Sequence, residues 1–194
     1  MTYRIFLPFF ILLITVFPAH AQSELSYEPT ATHPFGLPNP SSPENIKDWD
    51  ELIGECKCES FTFQKDRTWS EAVNVLWRFK YIMNGTAVQD ESLKSDGVHS
   101  GSIRQFDSIS ASWNVHYYSS SGAPQDLQSW NGKREGDKIL LYDAQKAPNG
   151  MDGFYKISFT DISTKGFNWL GEWVSPDESI KFPLWKIICT KIKS

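Results

Sequence analysis

The sequence predicts an all-β domain: an antiparallel up-and-down meander of about ten strands, closed into a barrel, with a short N-terminal helix. Three observations carry this. From Gly54 onward the apolar residues recur with a period of two. The runs are short and are separated by Gly, Asn, Asp and Ser turns. No long helical pattern interrupts them, so the crossovers that parallel pairing needs have no room. A meander this long with one apolar face closes into a barrel or folds into a sandwich.

The chain ahead of the strands divides in three. Residues 1–21 read as a secretory signal peptide: Arg4 is the positive start, Ile5 to Phe17 is apolar apart from Pro8 and Thr15, and Ala19-His20-Ala21 is a small-x-small cleavage site. The stretch is short for a membrane anchor. No Cys follows the cleavage site, which excludes lipid attachment there. The expected location is therefore periplasmic or secreted, without stable membrane insertion. Residues 22–43 carry Pro29, Pro34, Pro38, Pro40 and Pro43 and read as a flexible Pro/Ser-rich leader. Residues 44–194 are the barrel domain. Its helix opens at Ser42-Pro43-Glu44-Asn45, places Ile46, Trp49, Leu52 and Ile53 on one face, and ends at Gly54.

The strand candidates are 55–64, 71–83, 86–94, 101–107, 111–120, 126–134, 137–145, 153–161, 166–174 and 182–192. Alternation orients them. Val73, Val75, Trp77, Phe79, Tyr81 and Met83 oppose Asn74, Arg78 and Lys80, and Trp113, Val115 and Tyr117 oppose Asn114, His116 and Ser120. Tyr155, Ile157 and Phe159 oppose Lys156 and Ser158, and Phe167, Trp169 and Trp173 oppose Asn168 and Glu172. Eight Trp, seven Tyr and thirteen Phe supply one sizeable core, or the walls of a cavity. Asn84-Gly85 reads as a type I′ hairpin turn.

The pattern over roughly 45–192 resembles the calycin superfamily, and in particular the lipocalin-like family of bacterial exported proteins of unassigned function. The resemblance rests on the short helix and on Gly54-Glu55-Cys56. It continues through Trp77 to Gly85, Gln89-Asp90-Glu91, Ser102 to Phe106 and the closing Trp185-Lys186-Ile187. It implies a hairpin meander whose last strand closes on the first. It also implies a bacterial source, in which the Asn84-Gly85-Thr86 sequon is idle.

Three cysteines lie in the expected mature chain. Glu55, Lys57 and Glu59 take the outer face of the first strand, so Cys56 and Cys58 point inward. Lys186 and Thr190 do the same for the last strand, so Cys189 points inward. Barrel closure then brings Cys189 opposite Cys56 or Cys58, and a disulfide to either is expected in an oxidising compartment. Three buried thiols are the alternative. No metal site is expected, because this register supplies no further His.

A net charge of −4 offers nucleic acid no electrostatic handle. No nucleophile elbow, Walker loop, dinucleotide fingerprint or HExxH is present. His33, His99 and His116 share no motif and read as surface residues. Asp90, Glu91 and Glu172 read as exposed strand carboxylates, although one register of 86–94 points Gln89 and Glu91 inward with Ala87. Arg104 lies mid-strand between Ile103 and Phe106, where burial would demand an acidic partner or an anionic ligand. The expected function is an exported, monomeric binding protein holding a small, mainly apolar ligand in a barrel lumen, with no cofactor. The expected lining is Trp77, Tyr81, Gln89, Arg104, Tyr117, Trp130 and Trp169. Two alternatives stand beside it: an enzyme using Arg104 and a lumenal carboxylate, or an interaction module with a solid core.

Overall fold

The structure is a computed structural model and describes residues 25–194; the expected signal peptide and its cleavage site lie outside them. Ten strands follow one another: β1 (Gly54–Thr62), β2 (Val73–Ile82), β3 (Ala87–Lys94), β4 (His99–Asp107) and β5 (Ser112–Ser119), then β6 (Ser129–Glu135), β7 (Lys138–Ala144), β8 (Phe154–Ser163), β9 (Gly166–Val174) and β10 (Lys181–Lys193). Each pairs antiparallel with the next, and β10 pairs with β1 to close the barrel. Closure satisfies every strand edge, which leaves no open template for aggregation.

The two ends of the barrel differ. At one end the connections are short, spanning 83–86, 108–111, 136–137 and 164–165. At the other they run through 63–72, 95–98, 120–128, 145–153 and 175–180. The short-loop end is plugged. The expected helix is a six-residue 3-10 turn, Glu44–Trp49, rather than an α-helix. Its spacing explains this. Ile46, Trp49 and Leu52 are three apart, which lines them up at three residues per turn, and Ile46 N and Asp50 N donate to the carbonyls three residues back. All three side chains are buried. Trp49 meets Trp113 and Phe159 edge to face at 5.7 and 5.3 Å. A buried ring of this size contributes roughly 2–3 kcal/mol.

Polar bonds fix the plug to four strands. Trp113 Nε1 donates to Asp48 Oδ2 at 2.9 Å, and Tyr81 donates to Asp50. Arg134 Nη1 reaches the Asp48 carbonyl at 2.7 Å and Glu51 Oε2 at 3.0 Å. Lys191 donates to the carbonyls of Glu51 and Ile53. Burial lowers the ammonium pKa of Lys191.

Residues 25–43, read from the sequence as part of a leader, carry specific bonds to the barrel. Tyr81 N donates to Phe35 O at 2.8 Å, Asn39 N to Gly85 O at 3.0 Å, and Phe35 is buried. The β2–β3 connection beneath them is a four-residue loop, not a two-residue turn, with positive φ at Met83, Asn84 and Gly85. A Cβ at Gly85 would come within 2.4 Å of the Leu37 carbonyl, so the docked segment and the loop require glycine there.

In the β1–β10 ladder Cys58 lies directly opposite Cys189, with Cα atoms 4.1 Å apart, and the two form a disulfide. Cys56 is the buried free thiol, its pKa raised by burial. A disulfide tying the first strand to the last is the chemistry of an oxidising compartment.

Candidate functional site

Aromatic packing fills the plugged half of the barrel: Phe79, Trp113, Phe159 and Phe167 gather around Trp49 and Trp77. Toward the long-loop end the side chains draw apart and leave a cavity of about 200 Å³. Its wall is divided. Strands β3 to β6 contribute Asp90, Ser92, Ser100, Ser102 and Arg104, with Tyr117 and Trp130 among them, and the β5–β6 connection adds Gln128. Strands β7 to β10 contribute Leu141, Tyr155, Ile157, Trp169, Trp185 and Ile187. One side is polar and the other is almost wholly apolar.

The register places the polar side. Arg104 pairs with Val115, and Val115 with Trp130, so these form one row across β4, β5 and β6. Ser102 pairs with Tyr117 in the row toward the long loops. On β3, Asp90 pairs with Ser102 and Ser92 with Ser100. Alternation therefore turns Asp90, Ser92, Ser100, Ser102 and Arg104 into the lumen together.

Asp90 and Arg104 form a buried ion pair through Asp90 Oδ1 and Arg104 Nη1, with side chains only 5% and 3% exposed. Asp90 also accepts from Trp77 Nε1 at 2.6 Å, Ser102 N at 3.0 Å and Ser102 Oγ. The guanidinium carbon of Arg104 lies 4.5 Å from the Trp49 ring centroid and 5.1 Å from that of Phe79. Cation–π attraction in a dry site adds to the ion pair. The pair meets the condition that a mid-strand arginine imposes: a buried cation with a hydrogen-bonded anion. Three buried donors remain unanswered among the described residues: Arg104 Nε, Trp130 Nε1 and, in the plug beneath Arg104, Trp49 Nε1. The hydroxyls of Tyr117 and Tyr155 likewise have no hydrogen-bonding partner among the described residues. Burial, with Tyr117 alongside, pushes the Tyr155 phenol up to about 12, so it is a neutral donor.

The apolar side is shaped by ring contacts. Trp169 meets Trp185 edge to face at 5.6 Å, and Trp130 meets Tyr155 at 5.7 Å. Gly171, facing inward on β9, makes the room: a Cβ there would sit 2.5 Å from the Tyr155 hydroxyl and 2.7 Å from the Trp169 ring. Lys94 stands on the cavity wall near the long-loop end, its ammonium 4.4 Å from the Trp185 ring centroid.

Of the residues singled out in the sequence, Trp77, Arg104, Tyr117, Trp130 and Trp169 line this cavity. Tyr81 and Gln89 do not. Tyr81 faces inward but at the plugged end, bonded to Asp50. Gln89 is on the outer face and donates to Tyr118 Oη at 2.7 Å. The register that would bring Gln89 and Glu91 inward is thus reversed in β3, where four donors draw Asp90 into the lumen instead. Glu172, read as an exposed carboxylate, is buried on the outer surface opposite Lys156. Lys156 in turn reaches Glu178 at 2.5 Å. His33, His99 and His116 are exposed. Among the described residues no group of three or more His, Cys, Asp or Glu could hold a metal ion.

Sequence reading missed Ser92, Ser100 and Trp185 as wall residues and Asp90 as the partner of Arg104. The signal was present in β4, where Ser100, Ser102 and Arg104 alternate with Gly101 and Ile103.

No protein-family model matches the chain, and no curated protein matches it in sequence. Among solved structures, Rv2717c from M. tuberculosis superimposes with a TM-score of 0.52 at 9% identity, over 78% of this chain and 99% of that one. A protein of unknown function from the DUF3598 family of Nostoc punctiforme aligns over 77% of this chain and all of its own, at 6% identity and a TM-score of 0.26, too low to carry an argument. The likeness to Rv2717c is one of fold alone.

Proposed function

We propose that this chain is an exported, lipocalin-like binding protein that holds one compact, mainly apolar molecule in the barrel lumen. The observation that carries this reading is the half-filled barrel: solid at the plugged end, hollow toward the long loops. An apolar cavity of about 150 Å³ in another protein suffices for benzene. The 200 Å³ here fits a single ring with a short substituent. The Cys58–Cys189 bridge supports the export half of the proposal.

Turnover is the weaker reading. Asp90 already accepts four hydrogen bonds, which occupies the lone pairs a general base would use. Arg104 spends its charge on the same carboxylate.

The test is calorimetric and fluorescence titration of the mature chain with single-ring probes, beginning with toluene and indole. Saturable binding with quenching of lumenal Trp emission is expected. Gly171→Ala, which pushes Tyr155 and Trp169 into the cavity, should abolish it while the fold persists. Absence of saturable binding by every probe, or binding unaffected by Gly171→Ala, would overturn the reading.

A further inference from the structure

The cavity wall carries one positive charge that no side chain answers, and it stands at the long-loop mouth. We propose that the ligand is a monoanion, a compact ring bearing a carboxylate on a short arm, with the carboxylate on Lys94 Nζ. This rests on the binding function proposed above and adds the chemical class.

The β2–β3 ladder turns Lys94 inward. Asp90, Ser92 and Lys94 pair with Phe79, Trp77 and Val75, the buried inward residues of β2. A lysine at the end of a strand ordinarily carries its ammonium out to water on a flexible stem. Lys94 instead is half-buried, with its Nζ 4.4 Å from the ring centroid of Trp185 on β10. Both residues line the cavity. Trp185 is itself fixed, its Nε1 donating to Ser60 Oγ at 2.6 Å. Cation–π attraction to an anchored ring thus holds the ammonium at the cavity wall.

The charge balance selects an anion. Among the described residues three charged side chains line this cavity: Asp90, Arg104 and Lys94. Asp90 and Arg104 cancel in their buried pair. Lys94 Nζ has neither an ion pair nor a hydrogen bond among the described residues, so its charge is left over. Lys94 is four residues from Asp90 along β3, roughly 13 Å of extended strand. A carboxylate on Lys94 therefore stands clear of the Asp90 carboxylate and keeps part of its hydration at the opening, where desolvation costs least. A cationic group there would be repelled. A neutral acceptor would gain a hydrogen bond from the ammonium but no ion pair. The apolar side, with Ile157, Trp169 and Ile187, takes the ring.

The experiment titrates the mature chain with phenylacetate, its uncharged isostere phenylacetamide and the cation phenethylamine. The series is repeated on Lys94→Met, which keeps an apolar stem against Trp185, and on Lys94→Arg, which keeps the charge. Phenylacetate should bind roughly tenfold tighter than phenylacetamide, the margin of a charge-assisted over a neutral hydrogen bond, and phenethylamine should bind weakest. The preference for phenylacetate should shrink as ionic strength rises from about 0.01 M to about 1 M. It should persist in Lys94→Arg and vanish in Lys94→Met. In the unsubstituted protein phenylacetate should slow reductive methylation of Lys94 and leave that of the exposed Lys57 unchanged, a readout that does not depend on any variant's folding. Phenylacetamide binding as tightly as phenylacetate, a preference that survives Lys94→Met, or unslowed methylation of Lys94 would overturn the inference and leave the binding function standing. Failure of all three compounds while toluene or indole binds would do the same. Failure of toluene and indole as well would overturn both.

Discussion

Removing the Cys58–Cys189 bridge should cost this barrel more than any other single covalent change. The bridge spans 131 residues, nearly the whole domain. Cross-linking removes closure entropy from the unfolded chain, and for a loop of this length the chain-entropy relation gives about 5 kcal/mol at 25 °C. A denatured ensemble that is already compact lowers that figure, so about 3–5 kcal/mol is the working range. For a domain of this size each kcal/mol moves the melting temperature by about 2–4 °C, which gives a loss of about 6–20 °C. The assay is urea unfolding with and without a phosphine reductant, on the native chain, on Cys58→Ala/Cys189→Ala and on Cys56→Ala. Reductant and double substitution should each lower stability by the same amount and should not add. Cys56→Ala should cost only about 1 kcal/mol, as a small buried truncation, and should keep full sensitivity to reductant. A reductant effect under about 1 kcal/mol, or one abolished by Cys56→Ala, would refute both the pairing and the register behind it.

Two further outcomes follow from the lumen. Asp90→Asn leaves the Arg104 charge buried without a carboxylate and should destabilise the fold by about 3–5 kcal/mol; Asp90→Asn/Arg104→Gln should recover part of this in a double-mutant cycle, and additive losses would show that the two side chains are not coupled. Tyr155 is favoured as a neutral phenol, its pKa raised from 10.0 to about 12, so its contribution is intact below about pH 10 and is lost as pH rises toward 12. Denaturant midpoints measured from pH 9 to 12 should therefore fall less steeply in Tyr155→Phe than in the native chain.

Much of the fold was legible because the strands carry contrast. In β2 the alternation of Trp77, Phe79 and Tyr81 with Arg78 and Lys80 leaves one register possible, since a one-residue slip would bury two cations. The same contrast oriented β5, β8 and β9, whereas closure of the last strand on the first rested on the family resemblance, and the expected pairing of Cys189 with Cys56 or Cys58 followed from that closure. The 3-10 turn was harder to read. Spacings of three and four suit an α-helix, but only the packing of Ile46, Trp49 and Leu52 beneath the barrel shows that the threefold spacing governs. The Pro-rich segment ahead of it offered no periodicity, and its bonds to Tyr81 and Gly85 depend on a loop far away in sequence.

The site was less legible, because its decisive strand has no contrast. In β3 the run Gln89-Asp90-Glu91-Ser92 is polar on both faces, so hydrophobic periodicity is silent about which side turns inward. The choice is made by partners on other strands: Trp77 on β2, and Ser102 and Arg104 on β4, together supply four donors that converge on one carboxylate. Turning Glu91 inward instead would send Asp90 out to solvent and leave Arg104 buried against the Trp49 and Phe79 rings with no counter-charge, at a cost no loop could offset. Arg104 thus sets the register of a neighbouring strand as well as the floor of the lumen. By pairing with Arg104, Asp90 leaves no uncompensated charge on that floor, which suits the mainly apolar occupant proposed for the lumen.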